Sequence, residues 1–252
     1  MKYIYVYLFL AIGLCSCRSE NQSSESGDII AMRSSTQVSH DDLDPADMPA
    51  SLASSKYFRI YDKKNNLLDK EYLQSNDAIK SADDVVVNNR FQGLVSQYFY
   101  TDNPKRLFDM LNYGLIINRD GKYEYNEDAC GNAWFIDNLV SVAQANAESA
   151  GAGFIDPAVE ALVLGSEFGG VVDKMIPGDR QGSITLVSRT SGERTYSAET
   201  SSAQLAVISE LWDPQRWKVS VNGDEVPVIR VNGLLYALMV PSGKSTIVFS
   251  EK

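Results

Sequence analysis

The sequence is poor in the residues on which most catalytic and metal sites depend. It contains 1 histidine, His40, and 3 cysteines among 252 residues. Nucleophilic catalysis by serine or cysteine usually relies on a histidine base, and zinc sites usually draw on histidine and cysteine. The spacings of a P-loop, a G-x-G-x-x-G turn and an EF-hand are also missing. We therefore expect no metal, no cofactor and no histidine-dependent catalysis.

Basic clusters and long apolar runs are also lacking. Asp and Glu number 33 against 23 Lys and Arg, which gives a formal net charge of −10. Nucleic acids and anionic lipid surfaces attract clustered Lys and Arg, so neither is expected as a partner. No segment beyond the first 17 residues stays apolar for the roughly 20 residues that a spanning helix needs. The remainder of the chain is therefore expected to be soluble.

The first 17 residues have the layout of a lipoprotein signal. Lys2 precedes an apolar stretch over residues 3–14, which is too short to span a bilayer. The stretch ends LCSC, which resembles the bacterial lipobox, and the resemblance implies cleavage before Cys17 and acylation of its thiol. An ordinary secretory signal is the alternative. We expect a protein anchored by lipid in the bacterial cell envelope, facing the periplasm or the outside.

A single thiol then remains in the mature chain. With Cys15 removed and Cys17 acylated, only Cys130 is left, so no disulfide can form within the chain. Cys130 lies in the segment DACGNAW. We interpret it as a small, partly buried core residue rather than a nucleophile.

Two regions of different character follow the signal. Residues 18–55 are rich in Ser, Asp and Glu and are predicted to be a flexible tether, which includes His40. Residues 56–179 are predicted to be a mixed α+β region, in which KYFRIYD and GNAWFID are strands. The segment AVEALVLG is a helix or a strand, which periodicity does not separate.

One helix is predicted in the α+β region. Leu107, Phe108 and Leu111 share an apolar face at helical spacing. Tyr113 or Gly114 is expected to end this helix.

Residues 180–252 change to short segments in which apolar and polar residues alternate. Asn222-Gly223 and Asn232-Gly233 separate such segments, and Asn-Gly is the strongest short signal for a tight hairpin. The region is therefore predicted to be an antiparallel β sandwich. The predicted fold class of the whole chain is α+β.

The segment SELWDPQRW carries two of the 3 tryptophans. Trp212 and Trp217 can stack on sugar rings at a sandwich edge, or they can close the end of the β core. The alternation of the strand that Trp217 begins favours the second role for that residue. Glu210 and Asp213 flank Trp212 and form the one carboxylate pair to consider for glycoside hydrolysis.

A family resemblance covers about residues 56–252, most strongly the last 50. It rests on a Ser-Glu strand end, an aromatic Pro-containing loop, a Val-Pro hairpin, an Arg-x-Asn turn and a Val-Pro-x-Gly-Lys loop. The matching residues are Ser209, Glu210, Trp212, Pro214, Trp217, Gly223, Val226, Pro227, Arg230, Asn232, Val240, Pro241, Gly243 and Lys244. In these positions the chain resembles the soluble terminal region of the YfhO-type bacterial membrane proteins. That family carries many membrane spans, which this chain lacks, so glycosyl transfer is not implied.

These observations predict a non-catalytic envelope lipoprotein that binds a partner protein or a glycan. The resemblance implies a link to surface-glycan or lipid-linked sugar handling, alongside an integral membrane protein. Trp212, Trp217 and Arg230 are the candidate binding residues, and Cys17 is the lipid anchor. The alternatives are an envelope hydrolase that uses paired carboxylates and a structural component of a surface assembly.

Overall fold

The computed structural model describes residues 57–63, 67–73, 78–81 and 105–252. The predicted signal and tether, with Cys17 and His40, lie outside these ranges. The described residues are mostly β. The strands are, in chain order, β1 (Tyr57–Asp62), β2 (Leu67–Leu73), β3 (Ala78–Ser81), β4 (Tyr113–Ile117), β5 (Tyr123–Tyr125), β6 (Ala133–Phe135), β7 (Asn138–Val142), β8 (Glu160–Leu164), β9 (Gly182–Arg189), β10 (Glu193–Thr200), β11 (Gln204–Leu211), β12 (Trp217–Val221), β13 (Asp224–Glu225), β14 (Val228–Val231), β15 (Leu235–Val240) and β16 (Gly243–Glu251). The helices are α1 (Lys105–Met110), α2 (Ala145–Gly151), α3 (Gly165–Phe168) and a 3-10 helix over Gly169–Lys174.

The first sheet has the strand order β3-β2-β1-β4-β5. Strands β1 and β4 are parallel, and the other neighbours are antiparallel. The apolar residues of α1 are buried as their spacing predicts. The prediction that this helix reaches Tyr113 or Gly114 is wrong, because α1 ends at Met110. Asn112 adopts a φ of 55°, a left-handed conformation that stops a helix, and the chain enters β4 directly afterwards.

The ambiguous segment AVEALVLG forms a strand. It contains β8, which pairs in parallel with β7, and α2 lies between the two strands in the chain. A short apolar run fits either a helix or a strand, and only the pairing with a distant strand decides between them. No helix in the described ranges is long and apolar enough to cross a bilayer.

Two antiparallel sheets pack face to face in the C-terminal part. Their orders are β13-β12-β16-β10-β9 and β14-β15-β11-β6, and the antiparallel structure predicted for residues 180–252 is confirmed. Both sheets contribute to one apolar core. Its buried aromatic side chains are Tyr57, Phe135, Tyr196, Trp217, Tyr236 and Phe249.

The four-stranded sheet extends across the predicted boundary at residues 179 and 180. Strand β6 precedes that boundary, yet it pairs with β11 beyond it. The second face of this sheet packs on a core that includes residues of α1 and β8. Every residue of β11 is therefore buried, which explains why QLAVISEL shows little alternation.

The two Asn-Gly turns have the backbone that their sequence predicts. Asn222 and Asn232 both have a φ of 54°, followed by Gly223 at 93° and Gly233 at 73°. Two successive residues with positive φ form the tight turn that matches the twist of a hairpin. The turns join β12 to β13 and β14 to β15, so both predicted hairpins are confirmed.

Candidate functional site

Trp217 begins β12 and lies in the core between the two sandwich sheets. Only 6% of its surface is exposed. The guanidinium carbons of Arg194 and Arg216 lie 4.8 Å and 4.7 Å from the ring centroid. Stacking on a sugar requires an open ring face, which this tryptophan does not offer. Trp217 is therefore a core residue, as the alternation of its strand predicts, and not part of a binding surface.

Glu210 lies at a bulge near the end of β11, where the register against β15 shifts. The residue is 4% exposed. One of its oxygens accepts a hydrogen bond from Arg189 Nη1 at 2.5 Å and one from the Tyr196 hydroxyl at 3.2 Å, with Arg194 Nε at 3.6 Å. Burial, and then the charge of Glu210, raises the pKa of Tyr196 well above its ordinary value, so this hydroxyl keeps its proton.

Asp213 organises the turn that follows Trp212. Its Oδ1 accepts backbone hydrogen bonds from Gln215 at 3.3 Å and Arg216 at 3.2 Å. Such bonds are the usual way in which an aspartate stabilises a turn. Glu210 is buried beside arginines and Asp213 stabilises a turn. Each carboxylate therefore has a structural role.

Arg230 in β14 belongs to a three-charge cluster whose other members are Glu148 and Glu167. Only 2% of the residue is exposed. Its Nη2 donates to Glu148 Oε2 at 3.0 Å, and its two terminal nitrogens bind both oxygens of Glu167 at 2.8 Å and 2.6 Å. Burial opposes the charge of the guanidinium, but the bonds to the two glutamates outweigh it and raise the pKa of Arg230. Arg230 is therefore held as a cation inside the protein.

Trp212 joins this cluster through aromatic contacts. Its ring centroid lies 4.6 Å from that of Tyr236 and 5.7 Å from that of Phe168. Arg230 pairs directly with Tyr236 across β14 and β15, and its guanidinium carbon lies 6.0 Å from the Phe168 centroid. Strand β14 is the edge of its sheet. We name this group of residues, Glu167, Phe168, Trp212, Arg230 and Tyr236, the edge cluster.

Sequence reasoning identified Trp212 and Arg230 but missed their partners. Glu148 and Glu167 lie 82 and 63 positions before Arg230, and no motif connects them. One signal was present, because an arginine inside the apolar segment VPVIRV is rarely buried without a charged partner. That signal predicts that a carboxylate is needed, but it does not indicate which one.

Asn232 holds the hairpin beside the edge cluster. Its Oδ1 accepts a hydrogen bond from the Leu162 N–H at 2.8 Å, and the residue is fully buried. We expect Asn232→Ala to lower the free energy of unfolding by about 2 kcal/mol, because it leaves a buried N–H unpaired and places alanine in a left-handed backbone. Urea unfolding measures this loss.

Asn222→Ala is the matched control for this prediction. Asn222 has the same φ of 54° but lies at an exposed turn. Its replacement is expected to cost about 1 kcal/mol, because the left-handed strain remains and water can satisfy the groups that are freed. Equal losses in the two variants would show that the bond to Leu162 contributes nothing.

Cys130 has the environment of a structural residue. It is partly buried and packs against the core that includes α1. Burial raises the pKa of its thiol, and the charges of Asp109 and Asp156 raise it further. Since the thiolate is the nucleophilic form, this thiol is poorly suited to attack.

The edge cluster is thus the group of candidate residues that the fold brings together. In the part of the chain that the structure describes, no three side chains of His, Cys, Asp or Glu are placed to hold a metal ion. Comparisons with models of protein families, with curated proteins and with solved structures find no match to the chain.

Proposed function

We propose that this protein is a lipid-anchored, non-catalytic protein of the bacterial cell envelope that binds a glycan through the edge cluster. Its role is accessory to surface-glycan or lipid-linked sugar handling. The anchor is Cys17, at the end of the lipobox-like segment LCSC. The resemblance to the soluble region of YfhO-type proteins supports an extracytoplasmic position beside an integral membrane protein.

The arrangement of the edge cluster carries the proposal. The Trp212 indole is partly exposed and offers an apolar face with a polar tip, which suits the mixed surface of a sugar ring, and the fully buried Tyr236 ring packs against it. Arg230, which is 2% exposed and bound to Glu148 and Glu167, places a planar fork of donors next to Tyr236 and Phe168, and a ligand reaches this fork only in place of Glu167. Glycan recognition is favoured over glycoside hydrolysis because Glu210 and Asp213 already have structural partners.

The test is binding by the mature chain, purified in detergent, to a panel of neutral and acidic oligosaccharides. We expect at least one oligosaccharide to bind, and we expect Trp212→Ala to weaken that binding about tenfold, which corresponds to about 1.4 kcal/mol. Isothermal titration calorimetry measures the affinity, and the chain length of each oligosaccharide is compared before and after incubation.

Tyr123→Ala is the matched control. Tyr123 is also a partly buried aromatic residue, but it packs in the core of the first sheet. Its replacement should leave the affinity unchanged. Equal weakening by both substitutions would count against the edge cluster, and cleavage of an oligosaccharide by the purified protein would refute the non-catalytic assignment.

A further inference from the structure

We propose that the glycan is an acidic one, and that Glu167 and Phe168 occupy its place until it binds. This inference rests on the proposed function, since it concerns the ligand and the regulation of the same site. It names the ligand class as a sugar ring that carries a carboxylate. The residues that move are those of the cover segment, residues 165–174, which comprises α3 and the 3-10 helix.

The two glutamates that bind Arg230 differ in how far their side chains are exposed. The Glu148 side chain is 1% exposed, and its second oxygen accepts the Gly233 N–H at 3.0 Å. Glu148 alone is therefore enough to balance the charge of Arg230. Glu167 is the second carboxylate on a cation that already has one, and its side chain is 34% exposed. Glu167 is thus the exchangeable partner.

The geometry at Glu167 is that of carboxylate recognition. Arg230 Nη1 and Nη2 each donate to a different oxygen of Glu167, at 2.8 Å and 2.6 Å. Parallel paired bonds of this kind are the usual way in which arginine binds a carboxylate. A carboxylate on a ligand can replace Glu167 without changing the charge of the cluster.

Phe168 supplies the ring that accompanies this carboxylate. It meets Trp212 at an interplanar angle of 87° and lies 6.0 Å from the guanidinium carbon of Arg230. Two adjacent residues thus present a carboxylate to Arg230 and a six-membered ring to Trp212. An acidic sugar presents the same two groups in one unit.

The cover segment is held by partly buried rather than fully buried side chains. None of the residues of α3 or of the 3-10 helix is fully buried, although Phe168, Val171 and Val172 pack partly against the core, and α3 has no side-chain cap. Gly169 has a φ of +47°, and neither Gly169 nor Gly170 has neighbours within 4 Å of an added Cβ. Segments with few buried contacts open locally at much lower free energy than the whole fold.

The experiment compares the wild-type mature chain with Glu167→Gln, which keeps the size of the side chain and removes its charge. The probe is tetragalacturonate, and the variant is expected to bind it about tenfold more tightly because an internal competitor is weakened. Backbone deuterium exchange over residues 165–174 is expected to be faster in the variant. Unchanged or weaker binding by Glu167→Gln would overturn the inference.

Asp173→Asn is the matched control, because Asp173 is an exposed carboxylate in the same segment. It removes the same charge and should leave both the affinity and the exchange unchanged. If it strengthens binding as much as Glu167→Gln does, general charge repulsion explains the effect and the inference fails.

A second probe separates the ligand class from the proposed function. The methyl ester of tetragalacturonate has the same rings without the charges, and Glu167→Gln should bind the acid about tenfold more tightly than the ester. Equal binding of acid and ester overturns the acidic class and leaves glycan binding intact. Failure of every oligosaccharide in the panel to bind either protein overturns both proposals.

Discussion

Trp217→Ala is expected to lower the free energy of unfolding by about 3–5 kcal/mol, the usual cost of removing a large aromatic side chain from a core. Trp217 is 6% exposed and contacts the core that both sandwich sheets share. The substitution also removes the ring over which the Arg194 and Arg216 guanidinium groups lie. For a chain of this size, such a loss should lower the melting temperature by about 10 °C.

Lys218→Ala is the control for this prediction. Lys218 is the next residue of β12 and its side chain is 52% exposed, so its replacement should change the stability by less than about 0.5 kcal/mol. Urea unfolding of both variants measures the difference. A Trp217→Ala protein that melts like wild type but binds oligosaccharides less well would show that this ring is a binding surface after all.

Hairpins were predictable because their signals are local. Asn222-Gly223 and Asn232-Gly233 need only two residues to specify the positive φ angles of their turns. Strand β8 shows the opposite case, because the short apolar run over residues 160–164 fits a helix as well as a strand. Its conformation depends on pairing with β7, which lies more than 20 residues earlier in the chain.

The sheet order depends on contacts that the sequence does not mark. Strand β6 joins β11 through the pairs Ala206–Phe135, Val207–Trp134 and Ile208–Ala133. Short alternation in the C-terminal region predicts strands, but it does not indicate that an earlier segment completes one of their sheets. A division of the chain at residue 180 follows the change to alternating apolar and polar residues. The sheet instead follows the hydrogen bonds between strands, which cross this position.

The candidate site was predictable only in part, because some of its residues are unusual for their local sequence and others are not. Trp212 and Arg230 are unusual for their surroundings, one at a strand-to-loop junction and the other inside an apolar strand. Glu167 and Phe168 lie in GSEFGG, where nothing distinguishes them from ordinary surface residues. Their importance comes from bonds that join them to Arg230 and Trp212 across the fold.

The proposed lipid anchor predicts that Cys17→Ser releases the protein from the membrane. Without the thiol no diacylglycerol can be attached, and each buried CH2 of an acyl chain contributes about 0.8 kcal/mol to membrane binding. The loss of these chains should move the protein from the membrane fraction to the soluble fraction, with the sandwich still folded. Cell fractionation, together with mass spectrometry of the N-terminal peptide, measures both the location and the modification.

Cys15→Ser is the matched control, because Cys15 lies two positions earlier in the same LCSC segment. This variant should remain acylated and bound to the membrane. Release of both variants, or of neither, would contradict the assignment of Cys17 as the anchor. If the protein acts on a membrane-bound glycan or beside an integral membrane protein, the released Cys17→Ser form should also lose its role in the cell. Full activity of the soluble form would instead show that the edge cluster works without the anchor.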